Sequence, residues 1–241
     1  MRASFLQKTW ILAWTIASTL GISMYALYMR ATNTYDRKRS DRILRWWANI
    51  LLKATGATWD VSNPHGVDIK PGTPCIIMSN HRSHYDIPLI FRALPGSIRM
   101  LTKKELFKIP VWGSAMKAVE FISIDRHDHG QALKDLETAK EKMKSGIVLW
   151  IAPEGTRSRN GSLGEFKKGG FMVAIQTGAT IIPVGITGSE KIHKPKTSDL
   201  CLNQHVKVRI GKPIDASAYT EGSRDRLMSE VREAIASLVG E

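Results

Sequence analysis

The sequence predicts an α/β domain with a mostly parallel central sheet flanked by helices, preceded by an N-terminal two-helix membrane anchor. From residue 58 onward, short apolar runs alternate with helix-like stretches, which is typical of a largely parallel sheet. Polar clusters follow most of those runs, as expected where functional loops gather at the carboxyl ends of strands. Before residue 58, a long uncharged run lies among basic residues. We therefore predict an anchor over residues 1–57 and a main domain over residues 58–241.

The first helix contains a run without a charged residue from Trp10 to Met29. As a helix of about 20 residues it would cover about 30 Å, the thickness of the hydrocarbon core of a bilayer. Trp10, Trp14, Tyr25 and Tyr28 lie near its ends, where aromatic residues anchor helices at membrane interfaces. A cleaved signal peptide is the alternative, although its apolar region would normally be shorter and followed by a small-residue cleavage site.

The charges on either side of this run predict its orientation. More basic residues follow it than precede it, and basic residues favour the cytoplasmic side of a membrane. We expect the main domain on the cytoplasmic side. The following residues are Arg30, Arg37, Lys38, Arg39 and Arg42, against Arg2 and Lys8 before the run.

A second helix is predicted from Ser40, as N-cap, to about Thr55, with Gly56 as its stop signal. Its apolar residues recur at helical spacing, so one face would be apolar. The two helices would form a hairpin that either spans the bilayer or lies in one leaflet. The alternative is that the second helix packs on the main domain.

In the main domain, the alternation of apolar runs predicts seven strands and five helices. The strands are expected at residues 58–62, 75–79, 98–101, 120–124, 146–152, 180–186 and 205–210. The helices are expected at about residues 87–94, 110–118, 129–145, 170–178 and 222–239.

The composition points to an anionic partner. The formal net charge is +13 and the excess of basic residues is densest in residues 1–57, with nine against two acidic ones. Anionic membrane lipids are the natural partner for charge beside an apolar anchor. The chain contains no nucleic-acid recognition motif, so we expect no nucleic-acid partner. Two cysteines, Cys75 and Cys201, without metal-type spacing indicate a reducing compartment.

The segment NHRSHYD, residues 80–86, places His81 five positions before Asp86. On a continuous helix the two would be about 140° apart and could not touch. Pro88 favours a helix start nearby, so the segment would be a turn in which Asp86 holds one imidazole nitrogen and the other acts as a general base. Alternatively, Asp86 caps the next helix and His81 is an ordinary loop residue. A metal site of His81, His84 and Asp86 is a third interpretation.

A second cluster, PEGTR at residues 153–157, follows an apolar strand. Gly155 allows close approach to a ligand, Thr156 offers a hydroxyl, and Arg157 offers donors suited to phosphate. The alternative is a surface turn in which Glu154 pairs with an arginine.

Other basic residues are weaker candidates for contacts with phosphate or with an acyl donor. Lys167 and Lys168 precede two glycines at a predicted helix start, where free N–H groups bind anions. Arg126 follows one strand, and Lys103 and Lys104 follow another. Each of these residues could equally be a solvated surface charge.

Taken in order, NHRSHYD at 80–86, FISIDR at 121–126, PEGTRSR at 153–159 and IIPVGI at 181–186 resemble the four blocks of the glycerolipid acyltransferase family, which carries an HxxxxD motif. The closest likeness is to the bacterial 1-acyl-sn-glycerol-3-phosphate acyltransferases. The resemblance implies transfer of an acyl group from acyl-coenzyme A or acyl carrier protein to lysophosphatidic acid, giving phosphatidic acid. It implies no cofactor beyond the acyl donor, no metal, and a place on the inner membrane.

The resemblance also assigns roles by position. His81 would be the general base and Asp86 the residue that orients it, with Pro183 linked to the acyl donor. The residues that match the glycerol-phosphate site are Arg126, Glu154, Gly155, Thr156 and Arg157. One departure is His84, where the family commonly has another polar residue before the aromatic one.

Two other functions remain open from the sequence. The acceptor could be another lysophospholipid or glycerol 3-phosphate itself, which the motifs do not distinguish. The chain could also be a non-catalytic basic protein that binds anionic membranes.

Overall fold

The predicted α/β class is confirmed by a computed structural model, which describes residues 1–70, 72–125, 129–158, 161–195 and 197–241. The described residues form a sheet in the order β1-β7-β6-β2-β5-β3-β4, with β8 paired to β6. The strands are β1 Thr58–Ser62, β2 Cys75–Ser79, β3 Ser97–Lys103, β4 Ile122–Ile124, β5 Ile147–Ile151, β6 Thr180–Thr187, β7 His205–Ile210 and β8 Ile214–Asp215. The seven predicted strands are all present, and β8 is an addition.

The sheet is mostly parallel, as predicted. Strands β2 to β6 run in one direction, whereas β7 and β8 are antiparallel to β6, and β1 is parallel to β7. Strand β2 lies between β5 and β6 and is parallel to both. The loops that follow these three strands therefore leave the same edge of the sheet and meet there.

The helices cover both faces of the sheet. They are α1 Phe5–Ala31, α2 Arg37–Ala54, α3 Asp86–Ala93, α4 Trp112–Ala118, α5 His129–Lys144, α6 Gly169–Thr177, α7 Ser189–Ile192 and α8 Arg224–Val239. One apolar cluster joins β2 to α2 and α3, and another joins the opposite face to α5, α6 and α8. The alternating strand faces explain the two cores, because Ile77 points to the first cluster and Ile76 to the second.

The prediction that Ser40 caps the second helix is wrong. The cap is Asp36, whose carboxylate accepts a hydrogen bond from the Arg39 N–H at 2.9 Å, while Ser40 lies buried inside the helix. An aspartate is as good a cap as a serine and comes first in the chain, so the helix starts one turn earlier.

The predicted two-helix anchor is corrected to one candidate helix. The apolar face of α2 is buried against the main domain, with Leu44, Ala48 and Leu52 in the same cluster as Leu89 and Ile90. This cluster continues across the expected boundary at residue 57. Among the described residues, α1 alone has the length and composition to cross a membrane. Most of its apolar stretch is exposed, which leaves it available to lipid.

Strand β4 begins two residues later than predicted because Glu120 has a left-handed backbone, with φ of +70°. Its carboxylate ties three elements together. It accepts hydrogen bonds from Arg37 at 2.8 Å, from the Tyr35 hydroxyl at 2.9 Å and from Lys142 at 3.2 Å. Burial raises the pKa of Glu120, but these donors outweigh it and lower the pKa to about 2.

We predict that Glu120→Gln lowers the free energy of unfolding at pH 7 by about 1–3 kcal/mol, because it leaves buried donors with a poorer partner. Since the pKa is lowered by folding, the stabilisation is present above the ordinary value of 4.5 and is lost as the pH falls towards about 2. Urea unfolding at pH 7 and pH 3 measures this. The difference in the free energy of unfolding between the variant and the wild type should be smaller at pH 3 than at pH 7.

The matched control is Glu141→Gln, which removes an exposed ion pair with Lys144 one turn away on α5. Such pairs contribute little, so this variant should unfold as the wild type does. An equal effect of both substitutions at pH 7 would contradict the role given to Glu120.

Candidate functional site

The segment from Asn80 to Tyr85 forms a turn between β2 and α3, and it brings His81 onto Asp86. His81 Nδ1 lies 2.8 Å from Asp86 Oδ2. Asp86 is fully buried, and the same oxygen accepts the main-chain N–H groups of Arg82 and Ser83, each at 2.8 Å. A buried carboxylate needs such donors, so the position of Asp86 determines the path of the turn.

The imidazole of His81 is placed for proton transfer. Its side chain is 17% exposed, and its ring packs edge-on against Trp150 with centroids 6.0 Å apart. Because Asp86 occupies Nδ1, Nε2 is the nitrogen that can take a proton from a ligand. The described residues thus support the paired interpretation of His81 and Asp86 rather than a helix cap. No group of three or more metal-type ligands occurs among the described residues.

Glu154, near the start of the loop after β5, holds this turn from the side. Its Oε1 accepts the His81 N–H at 2.9 Å and its Oε2 accepts the Gly164 N–H at 2.8 Å. It is buried, which raises its pKa, while these two hydrogen bonds act in the opposite direction. Both carboxylate oxygens of Glu154 accept hydrogen bonds from main-chain N–H groups, so this geometry suits a residue that positions the turn. Its part in substrate binding stays a prediction.

The rest of the PEGTR loop reaches the same turn. Gly155 has a φ of +71°, which favours glycine and lets the chain reverse after the strand. The Ser158 N–H donates to the carbonyl of His81 at 2.8 Å, which fixes Arg157 beside the turn. Thr156 is exposed. Arg157 Nη1 is buried and has no hydrogen-bond partner within the described ranges.

The other basic candidates are less closely tied to His81. Arg126 lies outside the described residues. Lys104 pairs with Asp125, and Lys103 is exposed. Lys167 is exposed, and its Nζ lies 3.7 Å from Glu165 Oε2. Lys168 is exposed at the start of α6. Their proposed contacts with phosphate or donor stay predictions.

The family profile described as acyltransferase matches residues 61–187, which is more than half of the chain and contains the whole turn and the PEGTR loop. The chain belongs to this acyltransferase family.

Two relatives of the chain are named as 1-acyl-sn-glycerol-3-phosphate acyltransferases. A chloroplastic 1-acyl-sn-glycerol-3-phosphate acyltransferase of Brassica napus is 34% identical over 84% of this chain, which spans 56% of that protein. A 1-acyl-sn-glycerol-3-phosphate acyltransferase of Pseudomonas aeruginosa is 29% identical over 85% of this chain and 78% of its own length. The chain thus spans little more than half of the plant relative.

A solved structure shows the same fold. The crystal structure of a 1-acyl-sn-glycerophosphate acyltransferase from Thermotoga maritima superposes with a TM-score of 0.77 at 23% identity. The match covers 97% of this chain and 95% of that one.

Sequence reasoning missed two residues that shape the candidate site. The buried amide of Asn80 bonds both main-chain groups of Ile186, each at 2.8 Å, which joins the turn to β6. His193 follows β6, and its carbonyl accepts the Ser83 hydroxyl at 3.0 Å. An asparagine ending an apolar strand could have drawn attention to Asn80. No local pattern marks His193, because only the strand order brings it to the turn.

His84, whose role the sequence left open, lies at an exposed position of the turn. Partial shielding of its ring from water, together with the nearby charges of Arg157, His193 and His81, lowers its pKa to about 4, against Asp86. Its ring lies 5.9 Å from that of His193. With its pKa lowered in this way, His84 adds no positive charge to the turn at pH 7.

We predict that Glu154→Gln lowers the free energy of unfolding by about 1–3 kcal/mol, because the amide turns an N–H towards one of two buried N–H donors. It should lower kcat through the displaced His81 and leave the KM for the acceptor within about twofold. Glu165→Gln, an exposed change in the segment that follows, is the control. A change in acceptor KM alone, with wild-type stability, would instead show that Glu154 binds substrate.

Proposed function

We propose that this acyltransferase transfers a fatty acyl group from a thioester to the sn-2 hydroxyl of 1-acyl-sn-glycerol 3-phosphate, which gives phosphatidic acid. The observation that carries the proposal is the buried Asp86 holding His81 Nδ1 beside a half-buried arginine, Arg157. A base next to a phosphate-binding cation is what this reaction requires. The names of the relatives support the choice of acceptor.

The acyl transfer needs one base. His81 Nε2 takes the proton of the acceptor hydroxyl as its oxygen attacks the thioester carbonyl, and Asp86 stabilises the imidazolium that forms. The tetrahedral intermediate then collapses, breaks the carbon–sulfur bond and releases the thiolate, which receives the proton from His81. General base action of this kind gives about 10²- to 10⁴-fold in rate.

The acceptor phosphate would be bound by Arg157, together with Arg126 and the hydroxyl of Thr156. Gly155 leaves room for the ligand beside the main chain. Binding the phosphate holds the glycerol hydroxyl against His81, so the binding energy is converted into orientation of the reacting groups.

The hydroxyl attacks the thioester directly in this scheme, without an acyl-enzyme. Of the two cysteines, Cys75 lies in the centre of the sheet on β2, and burial raises its pKa to about 12. A thiol of that kind is not a nucleophile at pH 7. The donor is acyl-coenzyme A or acyl carrier protein, and the mechanism uses no other cofactor.

We also propose that α1 holds the protein on the inner membrane, with the catalytic domain on the cytoplasmic side. The exposed apolar surface of α1 and the basic residues around it suit a bilayer with anionic lipids. The acceptor and the product are membrane lipids, whereas the thioester donor is soluble, so the site needs access to both.

We predict that His81→Ala lowers the rate of acylation of lysophosphatidic acid by about 10²- to 10⁴-fold while the protein remains folded. The measurement is the transfer of acyl from acyl-coenzyme A by the purified chain in mixed micelles. The control is His205→Ala, which removes an exposed histidine paired with Asp60 on β1.

Equal rates for wild type and His81→Ala would refute the mechanism and favour a non-catalytic lipid-binding protein. An acceptor panel with glycerol 3-phosphate and phosphodiester lysophospholipids tests the acceptor. A wild-type preference for any of these over lysophosphatidic acid would contradict the proposed substrate.

A second prediction concerns the membrane. Trp10 and Trp14 stack on the exposed surface of α1, 58% and 44% exposed. Replacing both with glutamate should weaken binding to anionic vesicles at least about tenfold, because each buried aromatic side chain contributes about 1.5–3 kcal/mol. Val61→Glu, at an exposed apolar position on the edge strand β1, is the matched control in vesicle flotation. Unchanged binding of the double variant would contradict anchoring by α1.

A further inference from the structure

We propose that His193, which lies outside the four sequence blocks, binds the acceptor phosphate together with Arg157 and His84, and takes up a proton when a phosphomonoester dianion arrives. The inference rests on the proposed function and deepens it. It specifies how the same site distinguishes a terminal phosphate from a phosphodiester.

The fold holds His193 in place at the catalytic turn. Strand β6 pairs with β2, and the amide of Asn80 bonds the main chain of Ile186 near the end of β6. After the short helix α7, the carbonyl of His193 accepts the Ser83 hydroxyl at 3.0 Å. Ser83 also bonds Asp86. Ser83 therefore contacts both His193, through its hydroxyl, and the aspartate of the catalytic pair, through its main-chain N–H.

The three side chains form a cluster, and two of them have a nitrogen without a hydrogen-bond partner among the described residues. The rings of His84 and His193 are 5.9 Å apart, and the guanidinium of Arg157 is close enough to affect the ionisation of both. Arg157 Nη1 and His193 Nδ1 are buried, and in the described part of the chain neither has a hydrogen-bond partner. Buried polar atoms are seldom left unpaired. The oxygens of a phosphate would satisfy both nitrogens.

The surrounding space suits an amphiphilic ligand. His84 and His193 line a groove of about 620 Å³ between α1 and the turn that starts α3. The other walls are largely apolar, with Phe5, Ile11 and Leu12 from α1. A ligand with a phosphate at the histidines and an acyl chain along α1 would match both kinds of wall.

The charges around His193 predict its response to a phosphate. Burial lowers its pKa first, and Arg157 lowers it further, while Asp199 and the main chain of Thr197 raise it. Lys8 of α1 lines the same groove and adds positive charge, whereas His84 stays neutral. His193 is therefore neutral at pH 7 in the free protein. A bound dianion would favour the imidazolium and raise its pKa.

Proton uptake by His193 predicts the direction in which the affinity for the phosphate changes with pH. Because binding raises the pKa of His193, the gain in affinity is fully present at low pH and is lost as the pH rises through the bound-state value. A phosphodiester carries one charge and has fewer free oxygens, so it would gain less from the imidazolium. The histidine pair thus favours acceptors with a terminal phosphate.

The test is calorimetric binding of 1-oleoyl-sn-glycerol 3-phosphate in micelles to the purified full chain, without acyl donor. Titrations in buffers of different ionisation enthalpy give the number of protons taken up. We expect uptake of up to about one proton by the wild type near pH 7.5 to 8, where the phosphomonoester is already a dianion and releases no proton of its own. His193→Gln should bind about tenfold more weakly and lose most of the uptake.

His84→Gln is the second variant and should weaken binding while keeping the uptake, because His84 remains neutral. The matched control, His65→Gln, changes an exposed histidine in the turn after β1 and should behave as the wild type. A lysophospholipid with a phosphodiester head should bind the wild type more weakly and without uptake.

The outcomes separate this inference from the proposed function. If the wild type acylates lysophosphatidic acid but folded His193→Gln binds it with unchanged affinity and uptake, His193 has only a packing role and the inference fails alone. If the wild type shows no acylation but the binding effects occur as expected, the phosphate site stands and the proposed function fails.

Discussion

The fully buried carboxylate of Asp86 is the constraint around which the site is built. One of its oxygens accepts hydrogen bonds from His81 Nδ1 and from two consecutive main-chain N–H groups, so the chain has to wrap around it before α3 begins. A charge inside the protein is tolerated only with such donors. The same bonds that stabilise the charge also fix the imidazole, and the orientation of the His81 ring is therefore a consequence of folding.

The strand order extends this constraint to residues far apart in the chain. Strand β2 lies between β5 and β6, which brings Glu154 and His193 to the turn from 73 and 110 residues away. Glu154 holds the main chain of His81, and Ser83 holds that of His193. Changing the pairing of the sheet would leave every block of the sequence intact and still dismantle the site. The sequence blocks identify the family, whereas the strand order of the sheet determines the distances between the site residues.

The sequence predicts those features that depend on local patterns. Apolar runs rich in β-branched residues located seven strands, and the angle between His81 and Asp86 on a helix showed that the pair needs a turn. It could not predict which strands are neighbours, so His193 was missed. The sequence predicted α2 as part of the membrane anchor, because an apolar helix face does not reveal whether lipid or α3 covers it. The late start of β4 depends on the left-handed backbone of Glu120, which three donors stabilise and no local pattern reports.

The central claim is that Asp86 keeps the proton of His81 on Nδ1, which leaves Nε2 free to act as a base. The most direct test is ¹⁵N NMR of histidine-labelled protein near pH 8, with the signal assigned by comparison with His81→Gln. We expect the Nδ1–H tautomer in the wild type and loss of that preference in Asp86→Ala. An Nε2–H tautomer in the wild type would contradict it, because that nitrogen could not then take the hydroxyl proton.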